Sequence, residues 1–438
     1  MSVEVRTVSR KEFLKLGGAG LALSAGLPLI AACGEEGGGG GGTGGGVTAT
    51  YMKSGTYDVA AKKFAEEFQG NTGASVDIKA FPYAALRQNN TNAVIAGGCD
   101  YNVMSGSYYL ANIYNNFRPL DDLANRSNYA EPLAPGLWEH SEFYKGQHIG
   151  VPYGPDAYGL MYRTDLFEDA GLSWPGTWDE FSAALETLES KFGGQGIAPF
   201  VVYGGATEQL PALLFATYEG YFLNSKGKFE LDSAKATNSI KFAEQLLGFA
   251  PDNVTALSID EANTLFTDGK AAVLCGWPSF VLAAADDPAS SQIVGKWQVG
   301  ADPQPGFVWL SLWQMYMTKC TEDAETAWKW MSFWAEPEND KTLFTKYGVN
   351  PVLNSTYQEQ ELLNEYSHYL PGEQKNVARA LNPPLSGEAQ DFLASTLGEV
   401  FTGKTSAEEA VSSVNEEWAG LDVPDPLREA AQRNGLVG

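Results

Sequence analysis

Histidine is scarce in this chain. Its three copies, His140, His148 and His368, do not sit at the short spacings that ligate a metal. No His-Glu-x-x-His, Gly-x-Ser-x-Gly or phosphate-loop motif occurs. No catalytic residue, metal or cofactor is therefore expected. The carboxylate pairs Asp121/Asp122 and Asp286/Asp287 read as solvated turns. Basic residues are few as well: 29 Lys and Arg stand against 54 Asp and Glu, a formal net charge of -25. A surface of that sign repels phosphate backbones and argues against a nucleic-acid partner. No apolar run reaches the ~20 residues of a membrane span. Beyond Gly46 there is no long linker and no internal repeat.

What the chain does have begins with an unusual amino end. Residues 1–15 are basic, and Leu16 to Ile30 form an apolar run rich in Gly, Ala and Leu. Its length fits a signal-peptide core rather than a span. Ile30-Ala31-Ala32-Cys33-Gly34 resembles a bacterial lipobox, which implies cleavage before Cys33 and a diacylglycerol on its thiol. Upstream, Ser9-Arg10-Lys11-Glu12-Phe13-Leu14-Lys15 is similar to a twin-arginine export motif, with Lys11 in place of the second arginine. The export route, Tat or Sec, stays open. Residues 33–46 hold six consecutive glycines, Gly37–Gly42, and read as a coil tether of about 20 Å. With Cys33 assigned to lipid, Cys99, Cys275 and Cys320 allow at most one disulfide. Cys275–Cys320 is one candidate pair and buried free thiols are the other reading, since spacing does not determine connectivity.

The body, 47–438, opens as strand, helix, strand. Val47 to Tyr51 is β-prone, Asp58 is placed as the cap of a helix carrying Ala60, Phe64 and Phe68 on one face, and Val76 to Ala80 follows as a strand. That order predicts a parallel sheet and an α/β fold. Thr177-Trp178-Asp179-Glu180 and Thr405-Ser406-Ala407-Glu408 read as capping boxes. Helices are also expected over 234–249, 260–267, 324–334 and 359–369. The length exceeds one ordinary core, so two lobes sharing crossing segments are expected.

Five passages, in order, resemble family 1 extracellular solute-binding proteins of the maltose-binding-protein type: Asn116–Leu123, Gly150–Phe167, Pro175–Phe181, Phe266–Trp277 and Thr405–Trp418. Arg163 and Thr164 depart from the usual Asn and Lys of the second. The resemblance implies a two-lobe periplasmic-binding-protein fold (type II) with discontinuous lobes, 47–157 plus 272–345 and 158–271 plus 346–438, and a ligand cleft between them. It implies hinge closure on a solute, delivery to the permease subunits of an ABC transporter, and a monomer anchored through Cys33 to the outer face of the cell membrane.

A sugar needs flat rings for its C–H faces and hydrogen-bonding groups for its hydroxyl rim. Trp277, at a strand end before Pro278, is the best stacking candidate. Ser54 and Tyr57 follow the first strand; Ser107 and Tyr108 follow the strand expected near 101–104. Ligands gather at such carboxyl ends. Tyr153, Asp156 and Tyr158 lie on the crossing segment, Tyr203 beside two glycines, and Asn350 on the return into the second lobe. Trp309 and Trp313 share a strand face, with Trp309 the candidate and Trp313 packing, or both core. Each of these residues also has a plain structural reading as core or turn. The runner-up ligand is a polyamine or other cation, which acidic groups and rings can cage. A secreted glycan-acting enzyme and a surface adhesion lipoprotein are the readings from other classes.

Overall fold

The computed structural model describes residues 46–437, apart from Gly55 and residues 206–208, with backbone only at Ala84. The signal peptide 1–32, Cys33 and nearly all of the 33–46 tether lie outside the described residues.

Strand β1 (Val47–Met52) leads into helix α1 (Tyr57–Thr72) and strand β2 (Val76–Phe81), which pairs with β1 in parallel. Ala60, Phe64 and Phe68 lie on the buried face of α1. Asp58 is not its cap. It sits inside the first turn, where its carboxylate accepts from the Ser54 N–H at 3.1 Å. Helix α2 (Tyr83–Ile95) returns the chain to β3 (Val103–Gly106), on the other side of β1. A short antiparallel pair, β4 (Phe143–Tyr144) and β5 (Gln147–His148), precedes the long β6 (Gly150–Arg163). Helix α3 (Trp178–Phe192) and strand β7 (Ala198–Val202) follow, then α4 (Leu210–Thr217), α5 (Ile259–Thr267), β8 (Ala271–Gly276) and α6 (Ser279–Ala285). Strands β9 (Trp297–Val299) and β10 (Val308–Met317), helices α7 (Ala324–Phe333) and α8 (Leu370–Val377), strand β11 (Ala380–Leu381), and helices α9 (Gly387–Phe401) and α10 (Ala407–Trp418) complete the frame.

The strand order is β2-β1-β3-β10-β6-β8-β7. Strand β6 changes partners midway. Residues 150–158 pair with β10, whereas 159–163 pair with β8 and β9. One strand thus crosses between two groups: β1, β2, β3 and β10 on one side, β7, β8 and β9 on the other. Thirteen of its fourteen residues are buried, so neither face reaches solvent.

Local signals placed two helix starts. The Thr177 hydroxyl accepts from the Glu180 N–H and Glu180 answers the Thr177 N–H, a complete capping box. The box before α10 sits one residue later than expected, on Ser406 and Glu409. The helix expected over 359–369 covers only Gln360–Glu365; a turn follows over 366–369, and the separate helix α8 starts at Leu370. Pro371 stands in its first turn, where a missing N–H costs nothing.

The disulfide joins Cys99 to Cys320, with Cα atoms 5.7 Å apart, and corrects the candidate pair Cys275–Cys320. Antiparallel register explains it. Val103 faces Met317, so the chain entering β3 runs beside the chain leaving β10, and Thr318 N–H donates to Asn102 at 2.9 Å. Cys275 lies inside β8 opposite Leu160 and is a buried free thiol. Among the described residues no helix is long and apolar enough to cross a membrane.

Candidate functional site

A cavity of about 260 Å³ opens where the carboxyl ends of β1, β3 and β8 approach the start of β10. Its wall includes Tyr57, Ser107, Tyr108, Asp156, Trp277 and Trp309. These residues are far apart in sequence; they meet because β8 runs opposite to β1 and β3, so the carboxyl ends of the two strand groups face each other across β6 and β10. A larger surface hollow of about 520 Å³ lies near Thr177, Lys235 and Gln304, away from this edge.

Trp277 is held on three sides. Its indole N–H donates to Gln209 Oε1 at 2.6 Å, its backbone N–H donates to the Tyr203 hydroxyl at 3.3 Å, and the Tyr158 ring meets it edge-on at 5.0 Å. Gly276 allows this arrangement: a Cβ there would lie 2.3 Å from the Tyr203 oxygen. Trp309, Ser311 and Trp313 alternate along β10 and all reach the wall, as the two-residue period of a strand dictates. Trp309 meets Tyr108 and Phe215 edge-on, and Trp313 meets Tyr83 and Tyr109 edge-on and Tyr57 at a tilt. Among the described residues no ring stacks face to face on Trp277, Trp309 or Trp313.

The polar groups are few and placed. The Tyr108 hydroxyl donates to Gln390 Oε1 at 2.7 Å. Ser107 Oγ and the Tyr109 hydroxyl are buried at the wall, and neither has a hydrogen-bond partner among the described residues. Buried polar atoms are rarely left so, and a ligand is one way to satisfy them. The Arg87 guanidinium lies over the Tyr109 ring at 5.3 Å. Asp156, 5 % exposed, is pushed up to about 7 by burial, against the pull of hydrogen bonds from Ser279, Ala157 and Asn350.

Five of the sequence candidates do not line the cavity. Ser54 is an exposed turn residue whose hydroxyl accepts from the Tyr57 N–H at 3.1 Å. Tyr153 is wholly buried against Tyr51, Tyr57 and Trp334, with its hydroxyl 2.6 Å from Ser105 Oγ. Tyr158 and Tyr203 stand behind Trp277. Tyr203 also donates to Asn263 at 2.8 Å. Asn350 stands behind Asp156, to which it donates at 3.3 Å. Strand β3 ends at Gly106, two residues later than expected, so Ser105 is interior and Ser107 is the first residue beyond it.

The wall also holds residues that sequence reasoning passed over: Tyr83 and Arg87 on α2, Gln209 before α4, and Gln390 and Asp391 on α9. They come from helices, where nothing local marks a face as cavity rather than solvent. Trp313 alone had a signal, its period-two spacing from Trp309.

A two-group α/β fold with a ring-lined cavity at the crossing strand is the architecture of a solute-binding protein. The chain belongs to the bacterial extracellular solute-binding protein family, matching it over residues 28–341. Among solved structures, a solute-binding protein from Agrobacterium radiobacter K84 in complex with ribitol superposes with a TM-score of 0.73 at 22% identity, covering 85% of this chain and 97% of its own. The maltose-bound MalE3 of T. maritima gives 0.72 at 23% identity, covering 86% and 99%. The two-lobe periplasmic-binding-protein fold expected from the sequence is therefore the fold of this chain. A Deinococcus radiodurans relative named "Probable ABC transporter-binding protein" is 26% identical over 231 residues, half of this chain and 54% of the relative. The match thus spans about half of that relative's length.

Proposed function

We propose that this chain is the substrate-binding lipoprotein of an ABC importer, and that it captures a carbohydrate or polyol in the 260 Å³ cavity and releases it chemically unaltered. One observation carries the reading. Three indoles line the cavity with no ring stacked on them among the described residues, next to the unpartnered hydroxyls of Ser107 and Tyr109. Flat apolar faces beside hydroxyl-seeking atoms suit a sugar ring and its rim. The similar structures named above hold ribitol and maltose, which supports the same ligand class. The volume lies below the usual span for drug-sized ligands, which favours one or two rings.

In this reading residues 1–32 are a removed leader, Cys33 carries the lipid, and 33–46 leash the body to the outer face of the membrane. The lobes divide as 47–157 plus 272–345 and 158–271 plus 346–438, except that β8 and β9 hydrogen-bond to the second half of β6. That pairing supports carrying 272–299 with the second lobe. Asp156 and Asp391 on the same wall favour a second reading, an organic cation caged by rings.

A thermal-shift screen of monosaccharides, polyols and short oligosaccharides beside polyamines tests both. A ligand at a hundred times its Kd stabilises by about 2.7 kcal/mol, which raises the melting temperature by about 3 °C for a chain of this size. A sugar or polyol with that effect is expected. A shift confined to polyamines selects the cation reading instead.

A further inference from the structure

Asp156 does not stand alone behind the wall. Asn350 Nδ2 donates both to Asp156 Oδ1, at 3.3 Å, and to Glu373 Oε1, at 2.9 Å. Glu373 Oε1 also accepts the Ala157 N–H at 3.1 Å, so it grips the residue next to Asp156. Asp156 Oδ2 accepts from the Ser279 hydroxyl. Two carboxyls thus share one amide. Glu373 is fully buried. No lysine, arginine or histidine nitrogen lies within 4.0 Å of either carboxyl among the described residues.

The two carboxyls differ in their donors. Both Asp156 oxygens are engaged by donors, which favours the charged form. Glu373 uses only Oε1; its Oε2 is buried and has no partner among the described residues. A proton placed on Oε2 leaves every donated bond in place. The groups around the pair do not supply a charge to balance a second anion. Tyr57, Tyr203, Tyr357 and Tyr369 face it with phenols that burial holds neutral. Asp302 faces Glu373 as a third buried acid, and Arg379 acts on Asp302. Burial, then the Asp156 charge, raises Glu373 well above the usual carboxylate range.

We infer that Glu373 is a positioning residue of the ligand site: it holds a proton on Oε2 so that Asp156 is the member of the pair that titrates, its charged form accepting a ligand hydroxyl at the cavity wall, and ligand binding therefore expels the proton from the fraction of Asp156 that still carries one. The inference rests on the carbohydrate reading for its ligand but not for the state of the pair. The sign follows from linkage. A donated hydroxyl favours the ionised form of Asp156, so the bound protein holds fewer protons than the free one, and affinity rises with pH through the titration of Asp156.

Calorimetric titration with the sugar that gives the largest thermal shift, in buffers of different ionisation enthalpy, counts the protons. Release of part of a proton per sugar is expected at about pH 6.5 and none at about pH 8.5. Asp156→Asn should abolish the release. Glu373→Gln should keep it and move the midpoint of the affinity profile by less than about half a pH unit, because a residue already neutral is replaced by a neutral one. A midpoint falling by a unit or more would show that Glu373 is charged, and an absent release would remove the linkage; either overturns the inference while leaving sugar binding intact. Carboxyl-carbon NMR of the unliganded protein tests the pair without any ligand. One carboxyl should keep its proton above neutrality and lose that signal in Glu373→Gln. Ordinary titration of every carboxyl contradicts the inference whether or not a sugar binds.

Discussion

Two clusters of aromatic rings meet at Tyr57, and they use the same residue types to opposite ends. On one side Tyr57 touches Tyr153, which joins Tyr51 and Trp334, and Tyr51 in turn joins Trp330. On the other it touches Trp313, which joins Tyr83 and Tyr109 on the cavity wall. In the first cluster Trp334 stacks on Tyr51 at 5.0 Å, and Trp330 stacks on Phe333 while donating its indole N–H to the Tyr51 hydroxyl at 3.0 Å. Trp330 and Trp334 have no exposed surface. In the second cluster rings meet edge-on or tilted, and exposure climbs from 3 % at Trp309 to 49 % at Phe280 on the rim. On the cavity wall, an indole face left unpaired is a surface that a flat apolar ligand can cover.

That contrast is broken most severely in the core. Trp330→Ala should cost about 3–5 kcal/mol of stability through the cavity it leaves, read by denaturant unfolding. A much smaller loss would mean that the first cluster is no better packed than the wall. The next largest effect belongs to the wall. Trp277→Ala should leave a cooperative unfolding transition in place and weaken sugar binding by at least about 1 kcal/mol. Unchanged affinity would remove Trp277 from the site. At the rim, Phe280→Ala should change stability by no more than about 0.5 kcal/mol and affinity less than Trp277→Ala does. The three together form a gradient from fold to function.

How much of this was legible in the sequence depended on whether a feature is local. The Thr177 capping box and the buried face of α1 depend on residues three or four apart, and they could be read directly. The start of α10 was displaced by one residue because Thr405 and Ser406 are both competent caps, and only the fold selects Ser406. The Cys99–Cys320 bond spans 221 residues and follows from the register of β3 on β10, which no spacing encodes. The cavity shows the same division. Residues just after strands, such as Ser107 and Trp277, and the alternation of Trp309 with Trp313 could be marked in advance. Tyr83, Arg87, Gln209, Gln390 and Asp391 reach the wall from helices whose exposed and cavity-facing positions look alike. Tyr153 and Tyr158 on the crossing strand, Tyr203 beside its two glycines and Asn350 on the return into the second lobe are all buried, and they buttress the residues that line the cavity.

The central claim is that the edge-braced indoles, and not another hollow, hold the ligand. A crystal structure with the sugar or polyol that most raises the melting temperature tests this directly. The claim predicts an intact ligand in the 260 Å³ cavity, a ring face or carbon chain against Trp277, Trp309 or Trp313, and hydroxyls within hydrogen-bond reach of Ser107 or Asp156. A ligand seated instead in the hollow near Thr177, Lys235 and Gln304, or found cleaved, would contradict it.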